Sequence, residues 1–293
     1  MRNWFGGVMI AAVSAAATAA VLLSGIGSTA AQTEGAAWQA PRLAGTDHPD
    51  LNGIWQNLTT ANWDIEDHSA APGPLPALLG AWGAQPAGQS IVEGGELPYR
   101  PEALERRNAN YAQRLAVDPF NLHTVGDPEA KCYAPGVPRA MYMPYPFQIV
   151  QMPEKILIVF GYSNISRYIQ LENHEEAPID FWMGWSNGHW EGDTLVVDVT
   201  GFNGLTWLDR AGNFTSSALH VVERYTPAGP NTIMYEATVD DPEVFTRPWT
   251  LSFPLYRRLE ANVQLLDFRC VPFTEEYIYG SLAKEGSFVK KGS

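Results

Sequence analysis

Charge is scarce in this chain. Only 17% of its 293 residues are charged, against roughly 25% in an average domain. Basic residues are the scarcest: 19 Lys and Arg face 32 Asp and Glu, for a formal net charge of −13. That balance excludes nonspecific nucleic-acid binding, which needs a basic footprint. It also argues against docking on anionic lipid. Cysteine is rarer still, with two residues and no C-x-x-C, so a redox pair is not expected. No H-E-x-x-H, G-x-S-x-G, glycine-rich phosphate loop or dinucleotide fingerprint occurs. No metal and no cofactor are therefore expected. Beyond the first 31 residues no run is long and apolar enough to span a bilayer.

Other residue types are abundant. Hydrophobic residues make up 45% of the chain, which excludes a wholly disordered protein. There are 26 Gly, 22 Pro, 10 Trp, 12 Tyr and 12 Phe. Low charge with many aromatics and turn formers points to a β-rich, loop-rich fold.

Residues 1–31 read as a secretory signal peptide. Arg2 precedes an apolar stretch from Val8 to Leu23, and small residues allow cleavage after Ala30 or Ala31. The alternative is an uncleaved membrane anchor. Cleavage gives a periplasmic or secreted protein with no membrane insertion. In an oxidising compartment Cys132 and Cys270 read as one disulfide. It closes a loop worth about 4–5 kcal/mol in the chain-entropy model. Two buried thiols are the alternative.

Residues 32–118 form an irregular arm broken by Ala, Gly and Pro. A short strand is expected at Leu51–Gln56. A helix is expected near 101–116, with Pro101 at its first position. Leu104, Asn108, Tyr111 and Leu115 share one face of it. Residues 119–293 form a β domain. Strands are expected at Phe147–Gln151, Ile156–Tyr162, Ile165–Leu171, Thr194–Val199, Ala218–Tyr225, Thr232–Val239, Trp249–Tyr256 and Val263–Cys270. Asn187-Gly188 reads as a hairpin turn. The fold class is mainly β: an antiparallel meander closing as a lipocalin-like barrel or packing as a sandwich. Gly53-x-Trp55 and the late Arg269 resemble the lipocalin motif in which an Arg packs across the Trp. The alternative is that Trp55 is simply core.

Three segments carry the chemistry-bearing residues: Trp190-Glu-Gly-Asp-Thr-Leu-Val-Val-Asp198, Trp207-Leu-Asp-Arg-Ala-Gly212 and Leu219-His-Val-Val-Glu-Arg-Tyr225. In these motifs the chain resembles a family of exported, mostly uncharacterised bacterial proteins. The resemblance covers most of the chain after residue 40. It implies a reproducible fold and brings no activity with it.

The connection Gly201–Ser217 is longer than a hairpin requires, and such connections are often functional. It holds Trp207, Asp209 and Arg210 and feeds a strand bearing His220 and Glu223. Alternation puts Leu219, Val221, Glu223 and Tyr225 on the inward face. Glu223 is then either half of a buried ion pair or a carboxylate with a raised pKa, suited to acid–base work. His220 could be oriented by Asp209. Asp209, His220 and Glu223 are thus the candidate catalytic residues. Arg210 and Arg224 could hold an oxyanion, and Trp207, Trp182 and Trp185 could line a pocket. Tyr142 and Tyr145, in Met141–Pro146, could wall it. Core filling and solvated charge are the alternatives for each. The acidic loop 172–176 either takes a cation or is solvated.

Two functions fit. One is an exported enzyme doing cofactor-free acid–base chemistry (hydrolysis, isomerisation or elimination) on a small, largely apolar or aromatic molecule. The other is a non-catalytic, lipocalin-like carrier of a lipid, terpenoid or aromatic ligand.

Overall fold

The computed structural model describes residues 38–72, 84–114 and 126–271. The chain separates into two units, Met1–Gln39 and Ala40–Ser293. All that follows concerns the second. The expected signal peptide lies outside the described residues.

Nine strands close a barrel. They are β1 (Gly53–Gln56), β4 (Phe147–Gln151), β5 (Lys155–Phe160), β6 (Ser166–Gln170), β7 (Trp185–Glu191), β8 (Thr194–Thr200), β9 (His220–Gly229), β10 (Thr232–Asp240) and β11 (Trp249–Arg257). β2 (Ala71–Pro72) and β3 (Ala84–Gln85) make a separate two-residue ribbon. The fold is therefore mainly β, as its alternating sequence implies. Helix α1 spans Pro101–Gln113 and a single turn, α2, spans Arg139–Tyr142. β1 comes from the segment read as an irregular arm, and it completes the barrel between β11 and β4.

Burial alternates along the strands. Val221, Glu223 and Tyr225 of β9 face inward, as do Ile233, Tyr235, Ala237 and Val239 of β10 and Leu251, Phe253 and Leu255 of β11. These side chains have almost no accessible surface, and all but Glu223 belong to one hydrophobic core cluster. α2 packs into it. The Tyr142 ring meets Phe253 edge-on, 5.9 Å between centroids, and Tyr225 O–H lies 3.6 Å from the Met141 sulfur.

Four expectations change. The barrel is not wholly antiparallel, because β6 and β7 pair in parallel through Ile169–Ser186 and Gln170–Asn187. A parallel neighbour needs a crossover, and residues 171–184 supply it. Asn187-Gly188 is not a turn but the middle of β7. A Cβ on Gly188 would stand 2.6 Å from the Ile169 side chain, so close packing against β6 requires the glycine. The β7–β8 turn falls at Gly192, in the left-handed region at φ +59°. Val263–Cys270 is not a strand; a single bridge ties Phe268 to Tyr162. On α1 the buried residue is Ala103, while Leu104 and Tyr111 are exposed.

The arginine across Trp55 is Arg257, not Arg269. Trp55 and Arg257 are register partners on β1 and β11, and the guanidinium sits 4.3 Å from the indole centroid. It donates to the Asn52 carbonyl at 2.5 Å. Gly53, at φ +148°, leaves room for it, because a Cβ there would collide with the guanidinium. Arg269 instead pairs with Asp267 on the surface. The Cys132–Cys270 disulfide is formed.

Candidate functional site

The inward carboxylate of β9 resolves to an ion pair. Arg167 of β6 forks onto Glu223, with Nη1 3.0 Å from Oε1 and Nη2 on Oε2. Tyr225 and Tyr235 both donate to Oε1, at 2.9 and 2.8 Å. Arg167 Nε donates to Ser186 Oγ at 2.9 Å. Burial opposes the Arg167 charge, but Glu223 more than offsets it and holds the guanidinium pKa up. Burial, followed by the Glu223 charge, pushes both tyrosines well above their ordinary range.

His220 lies elsewhere. It faces outward and bonds Asp198 at 3.0 Å, with both side chains about half exposed. The expected Asp209–His220 pairing does not form, because β9 directs His220 away from the connection that carries Asp209. Arg224 is also outside, paired with Glu191 at 2.9 Å. Asp209, His220 and Glu223 do not converge.

What does converge is a polar cap built from four segments without strand structure. The long connection supplies Asp209, Arg210 and Asn213. Residues 57–66 supply Asn62, Trp63, Asp64 and Glu66. α1 supplies Arg107, and residues 126–142 supply Asp127, Glu129 and Arg139. α1 docks tightly because Gly212 has no side chain: a Cβ there would stand 2.7 Å from Asn110. Trp207 is buried in this connection, with its carbonyl facing Arg139 at 3.4 Å. Tyr142 O–H donates to the Leu208 carbonyl at 2.7 Å. Tyr145 stacks on Phe268 and meets Tyr162 at a tilt. Trp182 stacks on Tyr133, and Trp185 on Phe181.

The cap has two halves. In the first, charges match. Arg139 forks onto Asp127 with two 2.7 Å bonds. Arg210 grips Glu129 through Nε and Nη2, both at 2.8 Å. Burial acts against the Glu129 charge, but Arg210 and Arg139 outweigh it and hold its pKa below the usual range.

In the second half, acid exceeds base. Asp209 is fully buried. It accepts from the backbone N–H groups of Ile65, Ala211 and Asn213 at 3.0, 2.9 and 3.2 Å, and from Asn213 Nδ2 at 2.6 Å. Among the described residues no cation is hydrogen-bonded to it. The same Nδ2 reaches Asp64 at 3.5 Å, so one amide joins two carboxylates. Arg107 stands 3.8 Å from Asp64 and 3.9 Å from Glu66, and its Nε donates to Asn213 Oδ1. Desolvation and then the Asp64 charge push Asp209 up to about 7. Burial also raises Asp64 and Glu66. Asp64 is 13% exposed and thus the member of the pair nearest solvent.

Among the described residues no group of three His, Cys, Asp or Glu side chains is placed to hold a metal ion. In the acidic loop, His174 Nε2 bonds the Gly188 carbonyl at 2.8 Å. No protein-family model matches the chain and no curated protein matches it.

Sequence reasoning singled out Asp209, Arg210 and Trp207 but missed Asp64, Glu66, Arg107, Glu129 and Asn213. Asp64, Glu66 and Asp67 are a local carboxylate run in an otherwise patternless segment. That was their only signal.

Proposed function

We propose that the protein is an exported enzyme that moves protons on a small, largely apolar organic molecule at the cap, with Asp64 as the working carboxylate. Asp209 is the positioning residue behind it. The observation that carries this reading is the shared Asn213 amide, which couples a fully buried Asp209 to a partly exposed Asp64 with no guanidinium among the described residues in hydrogen-bond reach of either. Two close carboxylates cannot both ionise cheaply in a desolvated setting, so a proton is held near neutral pH and can be exchanged. Arg107 lies close enough to steady negative charge that develops on a reacting oxygen.

The disulfide fits an oxidising compartment and supports export. Among the described residues no helix is long and apolar enough to cross a membrane. The carrier alternative has less support: it needs a lumen ligand, and the named lumen-facing side chains of β9, β10 and β11 have almost no accessible surface.

The test is a turnover screen of small esters, lactones and epoxides, read by NMR. Asp64→Asn should abolish any turnover found while leaving a cooperative melt and ligand affinity in place. A folded protein that binds such compounds and converts none of them overturns the reading in favour of the carrier.

A further inference from the structure

Among the described residues Arg210 is gripped from one side. Glu129 occupies Nε and Nη2, the side-on fork. A guanidinium held this way keeps an end-on fork, made by Nη1 and the outer hydrogen of Nη2. Among the described residues nothing bonds to that fork. The side chain is 34% exposed; burial opposes its charge, but Glu129 outweighs that and holds the guanidinium pKa up. Its guanidinium carbon stands 5.5 Å from the centroid of the half-buried Trp63 ring. Trp63 immediately precedes Asp64. The Glu129 grip fixes the direction of the fork before any ligand arrives, which lowers the ordering cost of binding.

Charge permits an anion here. Asp127 and Glu129 are matched one for one by Arg139 and Arg210. Arg107 stands between Asp64 and Glu66, at 3.8 and 3.9 Å, and offsets part of their charge. We infer that Arg210 and Trp63 form a carboxylate-binding subsite beside Asp64. The occupant is a small organic acid with a flat apolar body: the carboxylate meets the end-on fork and the body lies along the indole. Calling that acid a substrate rests on the reading of Asp64 above; the subsite itself rests on Arg210, Glu129 and Trp63.

Titration calorimetry of the full chain with benzoate, and with benzamide as its uncharged counterpart, tests this. Benzoate should bind in the millimolar range, with benzamide weaker by at least about tenfold. Arg210→Lys keeps the charge but removes the fork, and should weaken benzoate about tenfold. Trp63→Leu should weaken both probes. If Arg210→Lys loses its cooperative melt, the benzoate-to-benzamide ratio of the native chain and the Trp63→Leu result decide. Equal affinity for the two probes, no benzoate binding, or full affinity in a folded Arg210→Lys protein would overturn the subsite. The two readings fail separately. Benzoate binding with turnover intact in Asp64→Asn removes the reaction and keeps the subsite. Turnover lost in Asp64→Asn without benzoate binding does the reverse.

Discussion

Glu223 and Asp209 are both fully buried carboxylates, yet they are held in opposite ways. Glu223 has a guanidinium forked across it and two tyrosine hydroxyls on one oxygen. Asp209 has four N–H donors, all neutral, and a second carboxylate on the same amide. A matched buried charge fixes structure, because removing its counter-ion leaves an uncompensated charge in the interior. An unmatched one stays responsive to pH and to its surroundings. The lumen pair ties β6 to β9, whereas the proton exchange proposed above belongs to the cap.

Breaking the lumen pair should have the largest effect. Arg167→Met leaves Glu223 buried beside two tyrosines and should cost about 3–5 kcal/mol in denaturant unfolding. Adding Glu223→Leu to it should recover most of that loss, since an apolar pair of similar volume removes the uncompensated charge. A single variant as stable as the native chain would erase the contrast. Asp209→Asn should cost less, about 1–3 kcal/mol, because one Asn oxygen still accepts some of the N–H donors that tie residues 61–66 to the long connection.

The strands were legible because burial alternates with period two. Thr232–Val239 and Trp249–Tyr256 could be read from their β-branched and aromatic residues alone. Asn187-Gly188 misled because glycine serves close packing as well as turns, and only Ile169 in the neighbouring strand tells which. Arg257 ends the last strand and Arg269 lies beyond it, and register selects the one that crosses Trp55. The cap was barely legible. Asp209 and Arg210 drew notice through the length of their connection. Their partners come from around positions 62, 107 and 129, and no local period records a meeting of irregular segments.

The pH dependence sharpens the contrast further. Asp209 rises from an ordinary value near 3.8 to about 7 on folding. Its folded form binds the proton more tightly, so its contribution to stability is complete below about pH 4 and is lost as pH rises through 7. Asp64 and Glu66 act with the same sign, and Glu129, whose pKa is lowered, acts with the opposite one. Stability measured from pH 4 to 8 should fall less steeply in Asp209→Asn than in the native chain. Parallel curves would remove Asp209 as the responsive group. The smallest effect belongs to His220→Ala. Its Asp198 pair is exposed, so stability should stay within about 0.5 kcal/mol and any turnover should be unchanged. A large loss of turnover there would return His220 to the site.

The most direct measurement is a carbon-13 NMR titration of the aspartate side-chain carboxyls in the native chain and in Asp64→Asn. The account predicts that Asp209 titrates near pH 7 in the native chain. Removing the Asp64 charge should move that midpoint down. An Asp209 that stays ionised to below pH 4 in both proteins would contradict it, and would make the cap as purely structural as the Arg167–Glu223 pair.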